Sequence, residues 1–279
     1  MRIISDAKEM HAASLEQRAK GASIGLVPTM GFFHEGHISL MRKSAADNDF
    51  TITSLFVNPT QFGPEEDLER YPRDMERDTK MAGEAGVDVL FTPDMAGMYP
   101  PGYRTYVKVE EWSSRLCGVT RPIHFRGVAT ICLKLFNICA PSRAYFGLKD
   151  AQQCLVIKKM VSDLNVDLEI VPMPTVREPD GLAMSSRNVY LTPEERKDAL
   201  RISQALSMAR EMVAAGENGA EKIKARMKEH ISVSPLAAVD YIETVSTETL
   251  QDAGVVGPGT LIAAAVFFGK TRLIDNIII

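Results

Sequence analysis

Two histidines three residues apart, His34 and His37, lie in the segment Pro28-Thr29-Met30-Gly31-Phe32-Phe33-His34-Glu35-Gly36-His37. An apolar run, Ile24-Gly25-Leu26-Val27, precedes it and reads as a buried strand, while Ile38 to Ser44 follows and reads as a helix. Pro28, Gly31 and Gly36 punctuate the turn between them. A helix start exposes unpaired N–H groups at the positive end of its dipole, which suits phosphate. Imidazoles add donors that stabilise charge on a phosphorus centre. Glycine lets the backbone approach a ligand closely. The direct reading is a nucleotide-handling site. A His-x-x-His pair can also bind a metal ion or simply satisfy a turn.

Three further clusters carry polar chemistry. Asn58-Pro59-Thr60-Gln61-Phe62 follows a second apolar run. It reads either as a turn fixed by Asn before Pro or as a place where Gln61 offers a donor and an acceptor to a small polar substrate. Phe146-Gly147-Leu148-Lys149-Asp150 stands between a strand and a helix. There Gly147 allows close approach and Lys149 is a point charge for phosphate. Asp150 is either a helix cap or an acceptor for a ribose hydroxyl, and one of Gln152 and Gln153 should face the site. Met184-Ser185-Ser186-Arg187 supplies two hydroxyls and a guanidinium suited to a triphosphate. The loop Arg121-Pro122-Ile123-His124-Phe125-Arg126 could also help with phosphate, although spacing assigns no contact there. Cys132 and Cys139 read as packed core thiols, and His11 and His230 as histidines without a chemical role.

These clusters need a scaffold, and the chain is long enough to build one. It has 279 residues, 45% hydrophobic and 24% charged, the balance of a globular protein with a sizeable core. A net charge of −4 gives no sign of a nucleic-acid surface. Cys117, Cys132, Cys139 and Cys154 form no CxxC pair, which fits a reducing compartment. The first residues lack the apolar core of a signal peptide, and no apolar run reaches the ~20 residues of a membrane span. The expectation is a cytoplasmic protein with no membrane partner.

Strand-like stretches at 24–27, 51–57, 87–91, 144–146 and 168–171 alternate with helix-like ones at 74–85, 128–140 and 151–164. Such alternation predicts an α/β fold, a doubly wound parallel sheet with helices on both faces. Ligands bind beyond the carboxyl ends of such strands, where the His34/His37, Asn58/Gln61 and Lys149/Asp150 clusters fall. From Pro172 the pattern changes. Pro172, Pro174 and Pro179 suggest a linker, and Thr192-Pro193-Glu194-Glu195 opens a helix with a cap signature. A second helix to His230 and strands at 239–245, 261–268 and 273–279 complete a smaller α+β domain. The expected division is residues 1–175 and 176–279.

The His loop resembles the HIGH signature of the nucleotidyltransferase superfamily, which includes the class I aminoacyl-tRNA synthetases. Taken in order, the clusters resemble the pantoate–β-alanine ligases (pantothenate synthetases). The matching stretches are Pro28 to His37, Phe56-Val57-Asn58-Pro59 with Gln61-Phe62, Tyr71-Pro72-Arg73, Arg121-Pro122 with His124 to Val128, Phe146-Gly147 with Lys149-Asp150 and Gln152-Gln153, Met184 to Asn188, and Lys270-Thr271-Arg272-Leu273-Ile274-Asp275-Asn276. The resemblance spans essentially the whole chain. It implies a Rossmann-like first domain, a C-terminal lid, a homodimer, and ATP with Mg²⁺, pantoate and β-alanine. It implies nucleotide contacts from Met30, Gly31, Phe32, Phe33, His34, Glu35, Gly36, His37, Gly147, Leu148, Lys149, Asp150, Val176, Met184, Ser185, Ser186 and Arg187. Gln61 and Gln153 would hold pantoate, with Gln61 also near β-alanine. The family pattern marks His37 as the catalytic acid, and His34, Lys149 and Arg187 join it as catalytic expectations. Leu148 stands where the family often has a charged residue, commonly Glu, and Phe32-Phe33 where smaller residues, often Ala-Leu, are usual. The Mg²⁺ ligand is not identified by the sequence, Asp78 being one guess among several acids.

The implied chemistry suits these residue types. A carboxylate attacking the ATP α-phosphate gives an acyl adenylate, and an amine then displaces AMP. Such transfers ask for positioning and charge stabilisation rather than a nucleophilic side chain. Two other readings compete. One is a transferase of the same fold that joins a nucleotide to a phosphorylated small molecule, which would not require amides at Gln61 and Gln153. The other is a metal-binding module built on His34, His37 and a cysteine.

Overall fold

The computed structural model describes residues 1–64 and 66–279. The chain forms two compact units, one made of Met1–Ser114, Gly118–Leu148 and Gln152–Pro174, the other of Arg115–Cys117, Lys149–Ala151 and Thr175–Ile279.

Along the sheet-forming part the order is β1 (Arg2–Ile4), α1 (Ala7–Ala19), β2 (Ile24–Thr29), α2 (Glu35–Asp47), β3 (Phe50–Leu55), α3 (Met75–Glu84), β4 (Val89–Phe91), α4 (Met95–Met98), α5 (Cys117–Thr120), α6 (His124–Cys139), β5 (Arg143–Gly147), α7 (Ala151–Asp163) and β6 (Glu169–Met173). The strands make one six-stranded sheet in the order β1-β4-β3-β2-β5-β6. Every neighbouring pair in it is parallel. The fold is therefore the α/β class that the alternating pattern predicts. From β2 the chain steps outward through β3 and β4, then returns to lay β5 and β6 on the other side. The order reverses between β2 and β5, where an open parallel sheet places its ligand crevice.

Local sequence explains that crevice. Ile24, Leu26 and Val27 are fully buried, so β2 is a central strand with both faces covered. It pairs with β3 along its whole length, from Ile24↔Phe50 to Thr29↔Leu55. Toward β5 it pairs only at Gly25↔Arg143 and Leu26↔Ala144. Pro28 brings no N–H with which to continue a ladder, and the two strands part beyond Leu26. Gly25 is needed for packing, because a Cβ there would fall 2.1 Å from Ser44 Oγ on α2.

Two features depart from expectation. β1 and α1 carry no strong pattern: β1 is three residues long, and α1 buries only Met10 and Ser14. Pro172 lies inside β6, paired opposite Phe146, rather than in a linker. β6 is an edge strand, where a missing N–H is tolerated, so the regular sheet runs on to Met173.

The second unit contains α8 (Pro193–Ala214), α9 (Ala220–Ile231) and the strands β7 (Ala237–Ser246), β8 (Thr260–Phe268) and β9 (Thr271–Ile278). The strands form an antiparallel sheet ordered β7-β8-β9. Thr192 caps α8 in a full capping box with Glu195, as the Thr-Pro-Glu-Glu run predicts. Ile202, Leu206, Ile223 and Met227 of the helices pack with Ile262, Val266 and Phe268 of β8 in one core. Among the described residues no helix is long and apolar enough to cross a membrane.

Candidate active site

The histidine loop follows the carboxyl end of β2. Helix α2 begins at Glu35, three residues earlier than the apolar pattern suggests, because His34 is its N-cap. His34 Nδ1 accepts the Gly36 N–H at 3.2 Å, and His37 Nδ1 accepts the His34 N–H at 3.4 Å. Two imidazoles thus play the parts that Ser or Thr and Glu play in an ordinary capping box. Their ring centroids are 4.1 Å apart. With Nδ1 accepting in both, the neutral rings carry their proton at Nε2, a tautomer assigned from the hydrogen-bond partners. Both histidines therefore belong to the first turn of α2, where the helix dipole is positive.

The turn ahead of them is strained and held. Gly31 has φ 85° and Phe32 has φ 52°, both left-handed. That conformation is free for glycine but costs a phenylalanine about 1–2 kcal/mol. Asp78 on α3 holds it in place: its Oδ2 accepts the Phe32 N–H at 2.6 Å and its Oδ1 the Phe33 N–H at 2.7 Å. Arg77 donates from Nη2 to the Phe33 carbonyl at 2.9 Å and lies 5.1 Å from the centre of the Phe32 ring. The Phe33 side chain is fully buried among Val27, Met41 and Tyr145. Asp78 is 1% exposed, and that burial raises its carboxyl pKa above the ordinary value, although the two amide bonds pull it down. Both Asp78 oxygens are engaged by the loop backbone. It is a structural clamp on the turn.

Gln61 ends the short 3₁₀ turn Pro59–Gln61 after β3 and is buried. Asn58 orients it: Asn58 Nδ2 donates to Gln61 Oε1 at 3.0 Å and to the Gly127 carbonyl at 3.2 Å. Asn58 Oδ1 accepts from Tyr99 Oη at 3.0 Å and from Thr60 Oγ1 at 2.9 Å. Gln61 Nε2 then lies 3.2 Å from Met30 Sδ of the histidine loop. The turn rests directly on α6. A Cβ on Gly127 would fall 2.5 Å from the Thr60 carbonyl oxygen and 2.6 Å from Gln61 N, so only glycine fits. His124 Nδ1 is 3.0 Å from the Gln61 carbonyl, which makes Nδ1 its donor.

The two arginines near His124 have structural partners. Arg121 meets Glu66 through Nε at 2.9 Å and Nη2 at 2.5 Å, and Arg126 lies 4.6 Å from the centre of the Tyr106 ring. Gln152 is buried and donates to the Trp112 carbonyl at 3.1 Å, while Gln153 is half-buried. Of the two glutamines, Gln153 keeps the substrate expectation. A Cβ on Gly147 would meet nothing within 4 Å, so the space beside the end of β5 is open.

In the second unit a small recess is lined by residues that include Lys149, Ala183, Ser185, Asn188, Ile274 and Asp275. It brings together Lys149 and Ser185, two of the residues expected to meet nucleotide. Lys149 Nζ is 3.6 Å from Asp150 Oδ1. The Met184 N–H donates to the Val176 carbonyl at 3.0 Å, joining two more of them. Ser185 caps the 3₁₀ turn Ser186–Tyr190 by accepting the Arg187 N–H at 3.2 Å. Ser186 is buried and Arg187 half-buried.

The metal-module alternative finds no support. All four cysteines are buried, and burial pushes the Cys132 thiol up to about 12. Among the described residues no group of three or more His, Cys, Asp or Glu is arranged to hold a metal ion. Sequence reasoning missed Asp78 and Gly127 as supports of the loop and of the Gln61 turn. Gly127 lies just ahead of the helix-like stretch read at 128–140 and falls inside α6 only because that helix starts at His124; the Asp78 contact had no signal in the sequence.

Comparison with known proteins follows the same line. The sequence profile described as "Pantoate-beta-alanine ligase" matches residues 2–278. The chain is 55% identical over 279 residues to the pantothenate synthetase of Acetivibrio thermocellus, covering 100% of this chain and 99% of that one. It is 53% identical to the pantothenate synthetase of Thermotoga neapolitana, with 100% of both chains covered. The crystal structure of pantothenate synthetase from Thermus thermophilus superposes with a TM-score of 0.94 at 44% identity, covering 99% of each chain. The pantoate-beta-alanine ligase from Francisella tularensis, solved in complex with beta-gamma ATP and beta-alanine, gives a TM-score of 0.82 at 34% identity, covering 100% of this chain and 97% of that one. The chain belongs to the pantoate-beta-alanine ligase family.

Proposed function

We propose that the protein condenses pantoate with β-alanine at the expense of ATP, giving pantothenate, AMP and pyrophosphate. The observation that carries this reading is the paired-histidine cap of α2 at the switch point of a chain that matches the ligase family from end to end. In the first step a pantoate carboxylate oxygen attacks the α-phosphorus, and the bond to the pyrophosphate oxygen breaks. In the second the amine of β-alanine attacks the acyl carbon, AMP leaves with the former carboxylate oxygen, and the nitrogen sheds a proton.

The protein's part is to position and to stabilise charge. The α2 start, with His37 as acid and His34 beside it, would face charge developing on the α-phosphate and the departing oxygen. Met30 to His37, Gly147 to Asp150, Val176 and Met184 to Arg187 would bind ATP. Lys149 and Arg187 would act on its phosphates. Gln61 and Gln153 would hold pantoate through neutral amides, which suit a hydroxy acid without competing for the triphosphate. Mg²⁺ would enter with the nucleotide, held mainly by phosphate oxygens. Residues 176–279 would act as a lid that excludes water from the adenylate. The working form would be a cytoplasmic homodimer, as the family resemblance implies.

Incubation with ATP, Mg²⁺, pantoate and β-alanine tests the reading. Pantothenate, AMP and pyrophosphate should form in equal amounts, and AMP formation should require pantoate. AMP released without pantoate would overturn it.

A further inference from the structure

Near the end of the chain lies the run Lys270-Thr271-Arg272-Leu273-Ile274-Asp275-Asn276, which the proposed chemistry leaves without a task. Its last two residues lie on β9 and are buried, Asp275 at 4% and Asn276 at 9% exposure. Asn276 Nδ2 donates to the main-chain carbonyl of Lys149 at 2.9 Å. Asp275 grips a different segment. Its Oδ2 accepts from Arg177 Nη1 at 2.6 Å and its Oδ1 from Arg177 Nη2 at 3.0 Å, a bidentate pair. Asp275 Oδ1 also accepts the Asn276 N–H at 2.8 Å, which fixes the two residues relative to each other. Arg177 in turn donates to the Gly181 carbonyl at 3.1 Å and pairs by a β-bridge with Ala183.

We infer that Asn276 is a positioning residue for Lys149, and that the Asp275–Asn276 pair sets the Lys149 turn and the Val176–Met184 hairpin in one register. These two segments, far apart in sequence, carry Lys149, Val176 and Met184. The inference rests on the reading that Lys149 meets the nucleotide phosphates. A lysine is a flexible point charge on a long stem, so its aim depends on where its backbone is held. Misplacing a group by about 1 Å can cost about 100-fold in rate. An amide donor on the carbonyl of that same residue is a direct way to hold it. Asn276 meets Lys149 at its backbone, so it acts through the lysine and not on substrate.

A double-mutant cycle on the full-length enzyme tests this. Asn276→Ala should raise the KM for ATP about 10- to 100-fold, with a smaller change in the KM for pantoate. In a Lys149→Ala background it should add little, because the group it aims is gone. Asn276→Asp has the same shape but no donor when ionised. Its activity relative to the parent should recover as pH falls and the carboxyl regains an O–H, whereas Asn276→Ala should show no such recovery. If Asn276→Ala does not fold, Asn276→Ser, too short to reach the carbonyl, is read with the same expectation. Equal losses from Asn276→Ala in the parent and in the Lys149→Ala background would overturn the inference, as would an unchanged KM for ATP. If Lys149→Ala itself leaves ATP use intact, the nucleotide role of Lys149 fails, and the positioning inference fails with it for that separate reason.

Discussion

Asp78 Oδ1 accepts the Phe33 N–H at 2.7 Å across 45 residues of chain, and its second oxygen takes the neighbouring Phe32 N–H at 2.6 Å. One buried carboxylate thereby holds a left-handed phenylalanine directly ahead of the helix that carries both histidines. Asn at this position keeps one acceptor and sets an NH₂ group against the other amide. Asp78→Asn should lower stability by about 1–3 kcal/mol and raise the KM for ATP about 10- to 100-fold. Denaturant unfolding and initial-rate kinetics check the two effects. A destabilised variant with normal ATP kinetics would show that the loop does not depend on the clamp.

His37 caps the first turn of α2 through His34 and is the expected acid of the adenylation step. His37→Ala should slow adenylate formation by about 10²–10³-fold, the scale of losing one charge-stabilising donor. Rapid-quench measurement of AMP transfer to pantoate gives this rate directly. A normal rate in the variant would remove His37 from the chemistry.

Gly127 is the surface on which the Gln61 turn rests. Gly127→Ala forces its new methyl group into the Thr60 carbonyl and the Gln61 backbone, overpacking that should cost about 1–3 kcal/mol. The displaced turn should weaken pantoate use, as Gln61→Ala should, and largely spare ATP binding. KM values for the two substrates separate these effects. A selective loss of ATP affinity would reverse the assignment of Gln61.

Much of the first unit is legible in the sequence because its strands are apolar runs stopped by Pro or Gly. Val87 to Phe91 before Pro93 and Ala144 to Phe146 before Gly147 are examples. β1 and α1 are not legible in the same way: three residues make too short a run, and α1 has too few apolar positions to show a stripe. The start of α2 is misread for a different reason. Histidine is an unusual N-cap, and its role depends on its partner at His37. Pro172 misleads because a proline signals a break unless the strand is known to lie at an edge. Asn58 and Gln61 stand out by type and neighbourhood, but Asp78 is an ordinary helix acid until the fold brings it to Phe33. The contact between Asn276 and Lys149 spans 127 positions and is equally invisible.

The Arg121–Glu66 pair predicts an acid limit. Burial would raise the Glu66 carboxyl, but the Arg121 guanidinium outweighs it and holds the group below its ordinary value. A carboxylate with a depressed folded-state pKa stabilises above its unfolded pKa, and that stabilisation is lost as pH falls through the folded value. Glu66→Gln should therefore lower Tm at neutral pH, and its gap from the parent should close in acid below the ordinary glutamate range. Thermal unfolding across that range checks it. A gap that stays constant into strong acid would mean that the pair contributes no pH-dependent stability.

The central claim is that pantoate carboxylate attacks the α-phosphorus of ATP. Pantoate labelled with ¹⁸O in its carboxylate tests it in a single turnover, with AMP, pyrophosphate and pantothenate examined by mass spectrometry. The account predicts one labelled oxygen in AMP, the other retained in the pantothenate amide carbonyl, and none in pyrophosphate. Unlabelled AMP, or label in a phosphate released from the γ-position, would contradict it.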